Sequence, residues 1–136
     1  VENPERIDSP LRLYHHIRGD RALLAIAGNL ARGLAVKRWF LNGAAPDAID
    51  PDKFKGDNFA RLVVIDDRGR RIRIYEGGEP DPLVTKEPFM AWGSGVDFAT
   101  AAMHLGLPAR QAVDVAHKFD PHTGPCTTTL TFEDQP

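Results

Sequence analysis

Phe89–Gly124 reads FMAWGSGVDFATAAMHLGLPARQAVDVAHKFDPHTG. The apolar run Phe89–Trp92 predicts a short buried strand, bounded by turn residues. Gly93-Ser94-Gly95 is a turn. Gly95–Leu105 and Ala109–Phe119 predict paired helices that pack through small residues. Gly106 closes the first, and Pro108 opens the second at its first turn, where its missing N–H costs nothing. Asp120-Pro121-His122-Thr123-Gly124 then predicts a loop, and Cys126–Phe132 (CTTTLTF) is rich in β-formers and predicts a last strand.

Upstream, residues 1–10 are polar, with Pro4 and Pro10, and predict irregular chain. Leu11–Ile17 partly alternates, Arg18-Gly19-Asp20 is a turn signal, and Ala22–Ala27 (ALLAIA) is continuously apolar. Together they predict a hairpin whose second strand is central and buried on both faces. Gly28-Asn29 ends that strand. Leu30–Leu41 has helical spacing, with Leu30, Leu34, Trp39 and Leu41 on the packed side, and Gly43 stops it. Residues 43–59, with Pro46 and Pro51, predict a long surface loop. Leu62–Ile65 and Arg71–Tyr75 predict strands joined through Asp67-Arg68-Gly69, with Arg71 and Arg73 on a solvated face opposite Ile72 and Ile74. Residues 76–87 predict a Gly/Pro loop. The order β-β-α-β-β-β-α-α-β groups strands and helices in blocks, which argues for an α+β fold with antiparallel sheets and against a doubly wound one.

The 136 residues fit one domain with an ordinary core. A net charge of −2 gives no electrostatic reason to expect nucleic acid or an anionic membrane as partner. The single cysteine, Cys126, excludes an internal disulfide and suits a reducing compartment, so a cytoplasmic location is expected. Apolar runs are too short to span a bilayer. A translated chain normally starts with Met or with a small residue after Met removal. Val1 followed by ENPERIDSP therefore reads as the interior of a longer polypeptide.

Several polar residues have local explanations. Ser94-x-x-Asp97 resembles a capping box for the helix that follows, with Asp replacing the usual Glu or Gln. Asp120 before Pro121 suits a turn, and Thr123 a hydroxyl-to-backbone bond. Gly28 suits a turn and Arg12 a solvated charge. His15 and His16 are adjacent and point to opposite faces of a strand, so they do not chelate together. His104, His117 and His122 lack metal-ligand spacing, and no metal or organic cofactor is expected. A Ser-His-Asp triad from Ser94, His117 or His122, and Asp120 lacks the G-x-S-x-G elbow.

Four stretches, in their order, carry a resemblance to the proteasome-like N-terminal nucleophile hydrolases. These include proteasome β subunits, the HslV peptidase and short phage and prophage versions. Ala22–Gly28 (ALLAIAG) resembles the family strand ending in Ala-Gly. LVVIDDRGRRIRIYEGG (Leu62–Gly78) resembles the middle hairpin. Trp92-Gly93-Ser94-Gly95 resembles the Gly-Ser-Gly turn, and Asp120-x-x-Thr123-Gly124 the loop after the paired helices. The short stretch 43–59 is closest to the phage-type members.

The resemblance implies a four-layer αββα sandwich. It implies peptide-bond hydrolysis by an N-terminal Thr whose α-amine acts as base, with a nearby Lys lowering that amine's pKa. Gly28 would donate its N–H to the oxyanion, and Ser94 would sit beside the amine. Asp120 and Thr123 would form the support loop. Arg12 stands where the family has the Lys, and supplies charge without a proton shuttle. The nucleophile and its Asp would lie upstream of Val1, so the first strands of the sandwich are missing from this chain. A peptide or protein substrate, a homo-oligomeric ring and a regulatory ATPase as candidate partner follow from the resemblance. The alternative is a catalytically silent ring-forming or phage structural subunit of the same fold. An amidase on that fold is a third.

Overall fold

The computed structural model describes residues 14–17, 19–67, 71–122 and 131–132. Two compact units carry them, Val1–Lys86 and Glu87–Pro136. In the first, five antiparallel strands lie side by side in chain order: β1 (Tyr14–Ile17), β2 (Asp20–Gly28), β3 (Ala60–Asp66), β4 (Ile72–Glu76) and β5 (Leu83–Thr85). The register Leu24↔Val64, Ile26↔Leu62 and Leu62↔Tyr75 puts these side chains on one face. Helix α1 (Leu30–Leu41) adds Val36, Trp39 and Phe40 to the core on that face. Leu24, Leu62, Val36 and Val64 are the largest fully buried side chains. Each contributes about 1.5–3 kcal/mol relative to exposure.

α1 docks by a different stripe than its leucines suggest. Leu30 and Leu41 are 56% and 41% exposed, while Gly33, Val36, Lys37 and Phe40 are buried. The cause is Gly33: a Cβ there would lie 3.0 Å from Ile26 Cβ, so the helix approaches β2 through its glycine. Trp39 is held by its indole N–H, which donates to the Ala45 carbonyl at 2.7 Å, and by an edge-on contact with Tyr75.

Three further expectations change in this unit. Ala22–Ala27 lies centrally between β1 and β3, but Ala25, on the face away from α1, is exposed, so the strand is not buried on both faces. The stretch 43–59 folds into three short 3-10 turns (Pro46–Ala48, Pro51–Phe54, Gly56–Asn58), and Phe54 reaches the core. Arg73, opposite Val64, is on the helix-covered face and not on a solvated one. It pairs with Asp66 at 2.9 Å and lies over the Phe40 ring. Period-two alternation with Ile74 leaves it no other side.

The second unit is a helical hairpin of α2 (Val96–His104) and α3 (Ala109–Phe119). Stacking of Phe98, near the start of α2, on Phe119, the last residue of α3, marks the pair as antiparallel. Ala99, Ala102, Met103, Ala112 and Ala116 form its core. α2 ends in a Schellman motif: Leu107 N–H donates to Ala102 O, Gly106 N–H to Met103 O, and Gly106 has φ +99°. Pro108 is the N-cap of α3, one residue before its first turn.

Among the described residues Phe89–Trp92 is not in a strand, whereas Leu83–Thr85, inside the stretch expected as loop, pairs along the edge of β4. Of the expected first and last strands, residues 11–13 and 126–130 fall outside the described residues; Thr131 and Phe132 are not in a strand. The described residues thus form an α+β fold with an antiparallel sheet, and none of their helices is long and apolar enough to cross a membrane.

Candidate functional site

Ser94 sits in the Gly93-Ser94-Gly95 turn ahead of α2, where Gly93 has φ +105° and its carbonyl accepts from Val96 N–H at 3.2 Å. The Ser94 hydroxyl donates to Asp120 Oδ2 at 2.6 Å, across 26 residues of chain. Asp120 is the C-cap of α3, and its N–H donates to Ala116 O at 2.8 Å. Its other oxygen, Oδ1, accepts from His122 N–H at 3.1 Å. Pro121 has no N–H, so the next available donor in the turn is that of His122. Asp120 is therefore both a turn residue and the link between the end of α3 and the start of α2, and it is only 7% exposed.

This geometry corrects the capping-box reading. Gly95 is the N-cap of α2, and no side chain bonds to the free N–H groups there. The Ser94 hydroxyl acts as a donor to Asp120. The bond also runs directly from hydroxyl to carboxylate, whereas a Ser-His-Asp relay needs an imidazole between them.

A hydroxyl that donates to a carboxylate still has lone pairs to offer, so Ser94, itself exposed, can accept from an incoming N–H. Beside it lies a cavity of about 320 Å³ lined by Met90, Trp92, Met103, Val113 and small residues, with no charged side chain. Sequence reasoning took these side chains as helix core and strand. The methionines flanking the turn were the one signal of an adaptable apolar space.

Gly28 belongs to the other unit, and its identity has a cause there. Its φ is +95°, and a Cβ would stand 2.5 Å from the Phe59 carbonyl oxygen. That carbonyl accepts from Asn29 N–H at 2.9 Å, and Asn29 in turn caps α1 through Arg32 N–H. Arg12 and Thr123 lie outside the described residues. Of the site residues expected from the sequence, the structure brings Ser94 and Asp120 into contact.

Elsewhere, His15 is buried and His16 exposed, as adjacent strand positions require. Among the described residues no group of His, Cys, Asp and Glu is arranged to hold a metal ion. A second cavity, of about 520 Å³, lies at the far end of β2 from Gly28 and is lined by His16, Asp20, Phe40, Asp66, Arg71 and Arg73, among others.

No protein-family model matches the chain, and no curated protein matches it. Its structure is similar to the crystal structure of eukaryotic HslV from Trypanosoma brucei, with a TM-score of 0.55 and 20% identity, over 82% of this chain and 75% of that one. At that identity the likeness establishes the fold: the chain is built on the fold seen in HslV.

Proposed function

We propose that the chain is part of a threonine-type peptidase of the proteasome and HslV kind, closest to the phage and prophage versions. Its complete form is a four-layer αββα sandwich, acting in the cytoplasm as a homo-oligomeric ring on peptide or protein substrates, with a regulatory ATPase as candidate partner. The observation that supports it is the Ser94–Asp120 hydrogen bond on an HslV-like fold. It joins the two motifs that most resemble the family's active-site support.

In this reading the nucleophile is an N-terminal Thr on a segment ahead of Val1. Its hydroxyl attacks the peptide carbonyl while the α-amine takes the hydroxyl proton. The tetrahedral oxyanion is held by backbone N–H groups, that of Gly28 among them. Collapse expels the amine product and leaves an ester, which water hydrolyses to restore the Thr. Ser94 accepts from the α-amine, and buried Asp120 orients Ser94 by holding its proton. Thr123 supports the loop, and Arg12 supplies positive charge in the lysine's place.

The test is turnover of fluorogenic peptide amides by the protein as isolated from its source. Hydrolysis that disappears when the N-terminal Thr is replaced by Ala supports the reading. An intact ring without turnover supports the second reading, a silent ring-forming or phage structural subunit. Arg12 favours that second reading, because a guanidinium keeps its proton at any working pH.

A further inference from the structure

The cavity of about 520 Å³ at the far end of β2 from Gly28 is lined from the first unit and takes no part in the peptidase reading. Its polar wall comes from the β3–β4 hairpin. Asp66 N–H donates to the Arg71 carbonyl at 3.2 Å, so the two residues are cross-strand neighbours. Asp66 nonetheless pairs with Arg73, at 2.9 Å and through one guanidinium nitrogen. Three polar groups are left unmet. Arg73 Nε–H and Asp66 Oδ2 are buried without a hydrogen-bond partner. The exposed Arg71 guanidinium has no partner among the described residues. Asp20 and His16 also border the cavity, and both have interactions of their own. Unpaired buried polar atoms are rare in folded proteins and call for a partner.

The unmet groups specify that partner. The acceptor is a carboxylate oxygen, which favours a cationic donor. The donors belong to guanidiniums, which favour an anion. A lone anion would face Asp66, and a lone cation would face Arg71. An ammonium and a carboxylate on one carbon suit both. A peptide, by contrast, carries its two charges at opposite ends. Phe40 and Leu41, at the end of α1, add apolar surface to the same cavity, whose volume is that of a small-molecule site.

We propose that this cavity binds a free α-amino acid with an apolar side chain, such as leucine. Its carboxylate lies on Arg71 and Arg73 Nε–H, its ammonium on Asp66 Oδ2, and its side chain against Phe40 and Leu41. The Asp66 and Arg73 side chains are 15% and 25% exposed, so both already border the cavity. A turn about their last torsions presents the unmet atoms to the ligand. The site is independent of the peptidase reading.

The test is titration of the protein with L-leucine, followed by backbone amide NMR shifts. Saturable shifts at Leu41, Asp66, Arg71 and Arg73 are expected, with a Kd on the order of 1 mM. N-acetyl-L-leucine and L-leucinamide each lack one charge and should bind about tenfold more weakly, or worse. Arg71→Gln changes an exposed side chain outside the core and should weaken leucine binding about tenfold. The absence of saturable shifts at these amides overturns the proposal. So do neutralised analogues that bind as tightly as leucine. Shifts confined to Gly28 and Ser94 would make leucine a ligand of the peptidase site and overturn it too. Inorganic phosphate moving the same amides as strongly would reduce the cavity to an anion site, against the proposal.

Discussion

The Ser94 hydroxyl could serve the Gly-Ser-Gly turn in two ways, as an acceptor for the free N–H groups of α2 or as a donor to Asp120. In a capping box, Ser94 and Asp97 act together. In the structure Ser94 serves Asp120, and Asp97 is a first-turn acid with only a dipole contribution. Ser94→Ala is therefore expected to lower unfolding stability by about 1.5 kcal/mol, the scale of a hydrogen bond to a charged group. Asp97→Asn should cost about 0.5 kcal/mol or less. Urea unfolding of both variants checks this, and equal losses would restore the capping box.

Gly28 makes a second residue-scale case. An alanine there meets both an unfavourable φ and the Phe59 carbonyl, while one at Gly106, with nothing within 4 Å of its Cβ, meets only the φ. Gly106→Ala should cost about 1–2 kcal/mol. Gly28→Ala should exceed it clearly, read from the same denaturation midpoints. Both glycines were visible in the sequence as stops. Ser94 and Asp120 were visible as candidates too. Their contact was not, since 26 residues of intervening chain leave no local periodicity to read.

Among the elements, the helices were the most legible, because a helix carries its own hydrogen bonds and its ends are marked by residues such as Asn29 and Gly106. Leu30–Leu41 and Ala109–Phe119 run as the spacing predicts. The packed side of α1 was not legible, because the decisive contact is Gly33 against Ile26, and a glycine adds nothing to an apolar pattern. Gly33→Leu is expected to cost about 1–3 kcal/mol by forcing α1 off the sheet. Leu30→Ala should stay within about 0.5 kcal/mol. Thermal or urea unfolding decides between this docking and the leucine-faced one. Strands were less legible: Leu83–Thr85 pairs with β4 although its stretch reads as loop, and a strand's neighbour is not written in its own residues.

For the whole molecule, the two units differ in how their cores are made. Among the described residues, the first buries Leu24, Leu62, Val36, Trp39, Phe40 and Tyr75, whereas the cluster between α2 and α3 holds Ala99, Ala102, Met103, Ala112 and Ala116. Smaller buried side chains between two helices mean a lower local opening free energy. In the 136-residue chain, amides of β2 and β3 should therefore exchange slowest and those of α2 and α3 markedly faster, by native-state hydrogen exchange. A uniform profile would show that the helix pair draws its stability from contacts other than its alanine core. An α+β architecture was readable from the block order of the elements. The HslV-like fold was readable only from motifs taken together, and Arg12 and Thr123 remain candidates on sequence alone.

If Ser94 and Asp120 support an N-terminal nucleophile, the N-terminal sequence and intact mass of the protein isolated from its native source will show it. The expected result is a chain longer than the one beginning at Val1, with Thr, Ser or Cys as its first residue. A chain that starts at Val1, or a longer one headed by a residue with no hydroxyl or thiol, would contradict it.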